Sequence, residues 1–195
     1  MTKLEAVNQM LAQAGLGIVG SVPSQGGSWA VQANRLLDEV ELEIQSIGWN
    51  YNTLIDVELT PNADDEIVVP DSVITIDTCG RDKQVNTRFI GGKLYDITNN
   101  TTEFTNSVRV TYTLRYKFEC IPYPVQSYIA AKAARVFVEQ NFGREREKVR
   151  SAYEREDVAH ANAKNYDNFE SNRNVINTPE AMIRLGDRNR WGFLT

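Results

Sequence analysis

The chain holds one histidine, His160, and two cysteines, Cys79 and Cys120, in 195 residues. A Ser-His-Asp triad or a His-based metal site needs a histidine with fixed partners. His160 stands instead in a run of Arg, Glu, Ala and Asn that reads as a solvated helix face. Two cysteines are too few for a disulfide-stapled scaffold, and no CxxC pair exists. They read as two reduced thiols; their spacing leaves a bridge between them open. No stretch approaches the roughly 20 consecutive apolar residues of a membrane span. Residues 1–14 are amphipathic rather than signal-like, so a secretory route is not expected. Positive charge is also short. Lys and Arg number 21 against 26 Asp and Glu, a net of −5. That balance argues against tight, sequence-independent binding to duplex DNA. A chain of 22.0 kDa has room for one domain, or for two small ones sharing a core.

Other chemical motifs are equally thin. Asp64-Asp65-Glu66 is the densest acidic cluster. A glycosidase needs two carboxylates held apart across a cleft, and adjacent acids after Pro61-Asn62 read as a turn. Gly15-Leu16-Gly17-Ile18-Val19-Gly20 fits GxGxxG, but it follows a helix pattern rather than a strand and reads as a connector. Asn99 and Asn100 fit the glycosylation pattern, which carries no weight without a signal peptide. No catalytic residue, cofactor or metal is expected.

What is present is periodicity. Thr2-x-x-Glu5 is a capping box, followed by Leu4, Val7, Met10, Leu11 and Ala14 on one face and by Gly15 as a stop. Ser28 begins a second helix to Ile47, with Trp29, Ala33, Leu36, Val40, Ile44 and Ile47 as its stripe and Gly48 beyond. The period then changes to two. Ile55, Val57 and Leu59 alternate with acids. Ile67–Val69 and Val73–Ile76 are split by Pro70. Val85–Ile90 and Lys93–Ile97 flank Gly91-Gly92, the pattern of a two-residue hairpin. Residues 107–118 read as the clearest strand, with Val108, Val110, Tyr112, Leu114, Tyr116 and Phe118 on one face and Arg109, Arg115 and Lys117 on the other. Pro122 and Pro124 open a third helix that runs to Phe142 and carries a small-residue surface of alanines. A last helix spans 144–170 with a thin apolar face that includes Val149, Ala152, Tyr153, Ala159, Ala163, Tyr166 and Phe169. The fold class is therefore α+β, a helical bundle of two N-terminal and two C-terminal helices with an inserted, mostly antiparallel sheet domain. The boundaries are 1–48, 49–120 and 121–170, with an extended tail over 171–195.

The polar last helix gains little from burial against its own domain. It is either laced with charge pairs such as Glu147 with Arg150, or covered by a neighbouring chain. Charge is uneven too: residues 1–120 carry nine basic and sixteen acidic side chains, and residues 121–195 carry twelve and ten. Arg173, Arg184, Arg188 and Arg190 in the tail exceed what local acids would pair, and the tail ends in Trp191-Gly192-Phe193-Leu194. Such an arm suits a segment that orders on a partner.

Several short stretches, taken in order, point further. They are Ala6–Ala12 (AVNQMLA), Ala33-Asn34, Ile44–Asn52 (IQSIGWNYN), Gly91–Thr98 (GGKLYDIT), Ile121-Pro122, Tyr128-Ile129, Ala133–Phe137 (AARVF) and Phe142-Gly143. In this order and spacing they resemble tail tubular protein A, the head-to-tail adaptor family of short-tailed podophages, from residue 4 to about 165. The resemblance implies a structural virion protein. In that family a ring of twelve copies sits between the portal protein and the tail nozzle protein. DNA passes through without specific binding, tail fibres attach near the adaptor–nozzle junction, and no membrane is involved. It also implies assembly in the host cytoplasm. On that footing Arg144, Arg150, Tyr153, Tyr166, Arg173, Arg184, Arg188, Arg190 and Trp191 are candidate portal and subunit contacts. Gly91, Gly92 and Lys93 are candidates for the nozzle or fibre side. Trp49 and Tyr51 read as hinge core. At twelve copies of −5 each, roughly sixty negative charges would discourage DNA from adhering to the lumen. Two other readings stand beside this one: a carbohydrate-active virion enzyme using Asp and Glu, and a cellular binding module.

Overall fold

Helix α1 (Lys3–Gln13) starts where the capping box places it: the Glu5 amide donates to Thr2 Oγ1 and the Thr2 amide to Glu5 Oε2. The computed structural model describes residues 1–21 and 26–176. α1 buries Ala6, Val7, Met10 and Leu11. Its end is closed by Gly15 at φ +78° and by Lys148, whose ammonium donates to the Ala14 carbonyl at 2.9 Å. A cation there also complements the negative end of the helix.

Helix α2 (Trp29–Ser46) is capped by Ser28, which accepts from the Val31 amide. Its buried face runs through Ala33, Leu37, Val40 and Ile44. Trp29 and Ile47, expected in that stripe, sit at its two ends and remain largely exposed. The Trp29 ring meets Phe137 edge-on and Phe142 at a tilt, at centroid distances of 6.1 and 5.8 Å. Helix α3 (Tyr123–Phe142) is central, packing against α1, α2 and the last helix. That position explains why it is buried on more than one side, from Val125 and Ile129 to Phe137 and Val138. Helix α4 (Arg146–Ile176) is 31 residues, about 46 Å at 1.5 Å per residue. It runs past Glu170, so the first part of the expected extended tail is helical. Ala152, Ala159 and Ala163 form its buried seam. The alanines of α3, Ala130, Ala133 and Ala134, are buried in the same cluster, so the small-residue surface is used inside the chain.

The sheet region has its own core of Ile67, Val69, Val73, Leu94, Phe104, Val108 and Val110. Strands β1 (Thr53–Leu59), β2 (Val73–Thr78) and β5 (Val108–Leu114) form an antiparallel sheet in the order β1-β5-β2. β3 (Thr87–Ile90) and β4 (Lys93–Asp96) form the expected hairpin, with Ile90 paired to Lys93 and both glycines at positive φ, +58° and +79°. A Cβ on either glycine would meet nothing within 4 Å, so conformation and not crowding selects glycine there.

Three strand expectations are corrected. β1 carries a bulge between Leu54 and Val57, with Asp56 at φ 59°, and the alternation breaks there: Ile55 is 73% exposed. Ile67–Val69 forms isolated bridges rather than a strand, ending at Pro70. β5 stops at Leu114, not at Phe118. There the Gln45 side chain takes over the backbone, donating to the Tyr116 carbonyl at 2.9 Å and accepting from the Tyr116 amide at 2.8 Å. The chain is drawn onto α2, and Phe118 enters a short 3₁₀ turn with its ring in the helical core.

Two segments, residues 47–52 and 115–121, join the helical and sheet cores. Asn52, 1% exposed, bolts them together. Its Nδ2 donates to the carbonyls of Gln45 (3.0 Å) and Leu114 (2.9 Å), and its Oδ1 accepts from the Trp49 amide (2.8 Å). Trp49 is buried beside it and donates its indole N–H to the Ile44 carbonyl.

Candidate assembly interface

The candidate contact residues on the last two helices divide into committed and open ones. Tyr153 is committed within the chain. The Arg135 guanidinium lies 5.0 Å from its ring centroid, and its hydroxyl donates to Glu139 Oε1 at 3.2 Å. Arg135 also pairs with Glu139 (2.7 Å) and with Glu156 on α4. Burial opposes the Arg135 charge, but the hydrogen bond its Nε donates to Glu156, together with the attraction of Glu156, outweighs it and holds the guanidinium more firmly protonated than usual. Tyr166 packs against the helical core. Arg150 is exposed and pairs with Glu154 at 3.0 Å, one turn ahead, rather than with the expected Glu147. Arg144 is exposed in the turn between α3 and α4. Arg173 falls on α4, but its side chain lies outside the described residues, as do Arg184, Arg188, Arg190 and Trp191.

α4 is thus anchored along its length despite its polarity. Lys148 holds its start to α1, Arg135–Glu156 its middle to α3, and Asp167 its far part to the junction. At that last point the Asn50 amide donates to Asp167 Oδ1 at 2.8 Å, and Asn50 Nδ2 donates to the Asp167 carbonyl at 3.0 Å. The expectation that α4 gains little inside its own domain is corrected: the alanine seam lets it lie close to α3, and its other faces remain in solvent. Between α1, α3 and α4 an open groove of about 600 Å³ remains, lined by alanines and Val158 together with polar side chains that include Gln13, Ser127, Ser151, Glu154, Arg155 and Asn162.

The hairpin tip is a second exposed surface. Lys93 pairs with Glu66 at 2.6 Å and bridges laterally to Val68. Ile90, Lys93 and Val68 are therefore neighbours across three chain segments, and Ile90 and Val68 are exposed aliphatic side chains. Sequence reasoning singled out the glycines of this turn but missed Ile90 and Val68, whose exposure depends on a pairing partner more than twenty residues away.

The strained electrostatics lie at the junction rather than at either surface. Glu41 on α2 is 3% exposed. Its Oε1 accepts from Gln45 Nε2 and lies 3.7 Å from Arg115. Burial raises its pKa above the ordinary value of 4.5, and Lys3 and Arg115 only partly offset this. Arg115 therefore serves this buried acid instead of a shared strand face, while Arg109 pairs with Asp56 at 2.5 Å. A raised carboxyl pKa means that the folded chain holds its proton to higher pH than the unfolded chain. Stability then falls as pH rises from the ordinary carboxylate range through the raised value. Glu41→Gln is expected to melt above the parent at pH 8, with the gap closing by pH 4. Thermal melts across that range check it, and an equal gap at both ends would refute it.

Among the described residues no group of three or more His, Cys, Asp and Glu could hold a metal ion. His160 is exposed and lies over the Tyr128 ring, with centroids 4.7 Å apart. Cys79 and Cys120 are both free thiols. Among the described residues no helix is long and apolar enough to cross a membrane.

The described residues thus form a helical body and a sheet body, each with its own core and with exposed faces. No curated protein matches the chain. The family model for tail tubular proteins matches residues 4–172, and the chain belongs to that family. It is a structural component of a virion tail.

Proposed function

We propose that the chain is the head-to-tail adaptor of a short-tailed phage, assembled in the host cytoplasm into a ring of about twelve copies between portal and nozzle. DNA passes through that ring without specific binding. The helical segments 1–48 and 121–170 form its subunit- and portal-contacting domain. The inserted domain 49–120 faces the nozzle and fibres through the tip at Gly91, Gly92 and Lys93. The arm beyond α4, with Arg184, Arg188, Arg190 and Trp191, orders on a partner.

The family match carries this reading, and the two-body architecture supports it. One body offers a long helix with open outer faces and a groove. The other offers a hairpin whose tip leaves Ile90 and Val68 in solvent. Exposed aliphatic residues of this kind mark contact surfaces when they cluster. Light scattering with and without purified portal rings tests the proposal. Co-elution at a fixed ring stoichiometry is expected. A monomer that ignores the portal would overturn it.

A further inference from the structure

A cleft of about 500 Å³ separates the two bodies along the 115–121 crossing. The helical body contributes Lys3 and Glu41 to its lining, and the sheet body contributes Asp71 and Ser72. Arg115, Tyr116 and Lys117 of the crossing run between them. The helical and sheet cores are separate clusters, so no continuous apolar core spans the cleft. Bodies joined without a large apolar interface move relative to one another by default.

Glu41 holds the position that matters for such a motion. At 3% exposure an ionised carboxylate is costly unless it is closely paired, and this one is paired poorly. Arg115 stands 3.7 Å away with its own side chain 47% exposed, and Gln45 Nε2 donates at 3.2 Å. That same nitrogen donates to the Tyr116 carbonyl, while Gln45 Oε1 accepts from the Tyr116 amide. The buried acid therefore shares its donor with the clamp that ends β5. The other groups around it give little relief. Lys3 on α1 is committed to Asp38 on α2, and the Lys3 amide donates to Glu119. Asp71 and Lys117 line the same cleft with opposite charges. Tyr51 faces Glu41 from the first crossing. Its ring meets Tyr116, and its hydroxyl is buried without a hydrogen-bond partner.

We propose that the cleft is a hinge and that Glu41 is its proton-operated latch. Neutral, Glu41 lets the sheet body close onto the helical body, with Gln45 gripping Tyr116. Ionised, it draws solvent into the cleft, Gln45 turns to the carboxylate and releases Tyr116, and the sheet body swings away. Asn52 and the Asn50–Asp167 pair lie outside the cleft lining and act as the pivot. The direction follows from the protonation equilibrium. Burial holds the Glu41 proton above the ordinary carboxylate range while the cleft is closed, and solvent restores the ordinary range once it opens. Rising pH therefore drives opening, and the charge of Arg115 restrains it. The latch sets the angle at which the hairpin tip is presented to whatever it meets, and it does not depend on the ring reading.

Spin-label distances between the two bodies test the hinge in full-length chains carrying Cys79→Ser and Cys120→Ser. Arg88→Cys on β3 is paired in turn with Arg150→Cys on α4 and with Glu39→Cys on α2, all exposed positions. An excess of chain without the label cysteines restricts the reading to distances within one chain. A single peak is expected at pH 4, with a displaced second peak at pH 8 in at least one pair. Glu41→Gln should keep the pH 4 distribution at both pH values. Arg115→Gln should enlarge the displaced peak at pH 8 and leave pH 4 unchanged, which tests the latch independently of Glu41→Gln. Identical distributions at the two pH values in the parent chain would overturn the proposal, even if its melting point changes with pH. So would a displaced peak that persists in Glu41→Gln, or one that Arg115→Gln leaves at its parental size.

Discussion

Asn52→Ala is expected to destabilise the chain by about 3–5 kcal/mol, more than any substitution of an exposed residue would. The side chain makes three hydrogen bonds; its removal strands the Trp49 N–H, takes a donor from the Leu114 carbonyl and leaves the Gln45 carbonyl with the longer bond from the Gly48 amide. Each group is left short of a partner in a buried setting, at roughly 1–3 kcal/mol apiece. For a chain of this length each kcal/mol shifts the midpoint by about 2–4 °C, so the melt should fall by roughly 10 °C. Asn52→Asp is the sharper variant. It keeps an acceptor for Trp49 but replaces both donated bonds with an ionised oxygen aimed at two carbonyls. It should be no more stable than the alanine variant at pH 7. A loss under 1 kcal/mol for both, by denaturant titration, would show that the junction does not depend on this bolt.

The second large effect is expected in the helical core. Phe137 is fully buried on α3, beneath the edge of Trp29 and beside Phe142 at 6.5 Å. Phe137→Ala removes that contact and leaves a cavity among helices pinned by Arg135–Glu156 and by the alanine seam, which limits collapse. The expected cost is about 3–5 kcal/mol. Tyr123→Ala, on the same helix but exposed, should stay within about 0.5 kcal/mol. Far-ultraviolet melts of the two variants side by side check the contrast. Equal melts would mean that the helices repack around the gap.

The parts of the fold that local chemistry controls were legible in the sequence. Thr2 with Glu5 and Ser28 start two helices as read, because a cap and its partner lie within one turn, while Pro122 and Gly143 bound the third without a side-chain cap. Gly91-Gly92 makes its hairpin for the same reason. What stayed hidden depends on residues far apart in the chain. β5 stops early because Gln45, 71 residues away, captures Tyr116. Asn52 and Gln45 look like ordinary polar residues after a helix, and only the return of the chain at Leu114–Tyr116 gives them partners. The exposure of Ile55 follows from a bulge that no alternation pattern announces. Of the candidate interface, the position of the hairpin tip was legible, while the groove was not, since it exists only where three helices separated in sequence converge. Composition marked α4 as polar, but three alanines at a helical spacing were enough to lay it down along α3.

The anchoring of α4 has a mechanical meaning. It is held to the end of α1 at Lys148 and to the junction at Asp167, nineteen residues or about 28 Å apart along its axis. Between those points it is a strut. A pull on the sheet enters the helical body through Asn50 as well as through the two covalent crossings, and travels down a rigid rod to the opposite end of α1. Load applied at the hairpin is shared across the whole bundle instead of being concentrated on two short connecting strands.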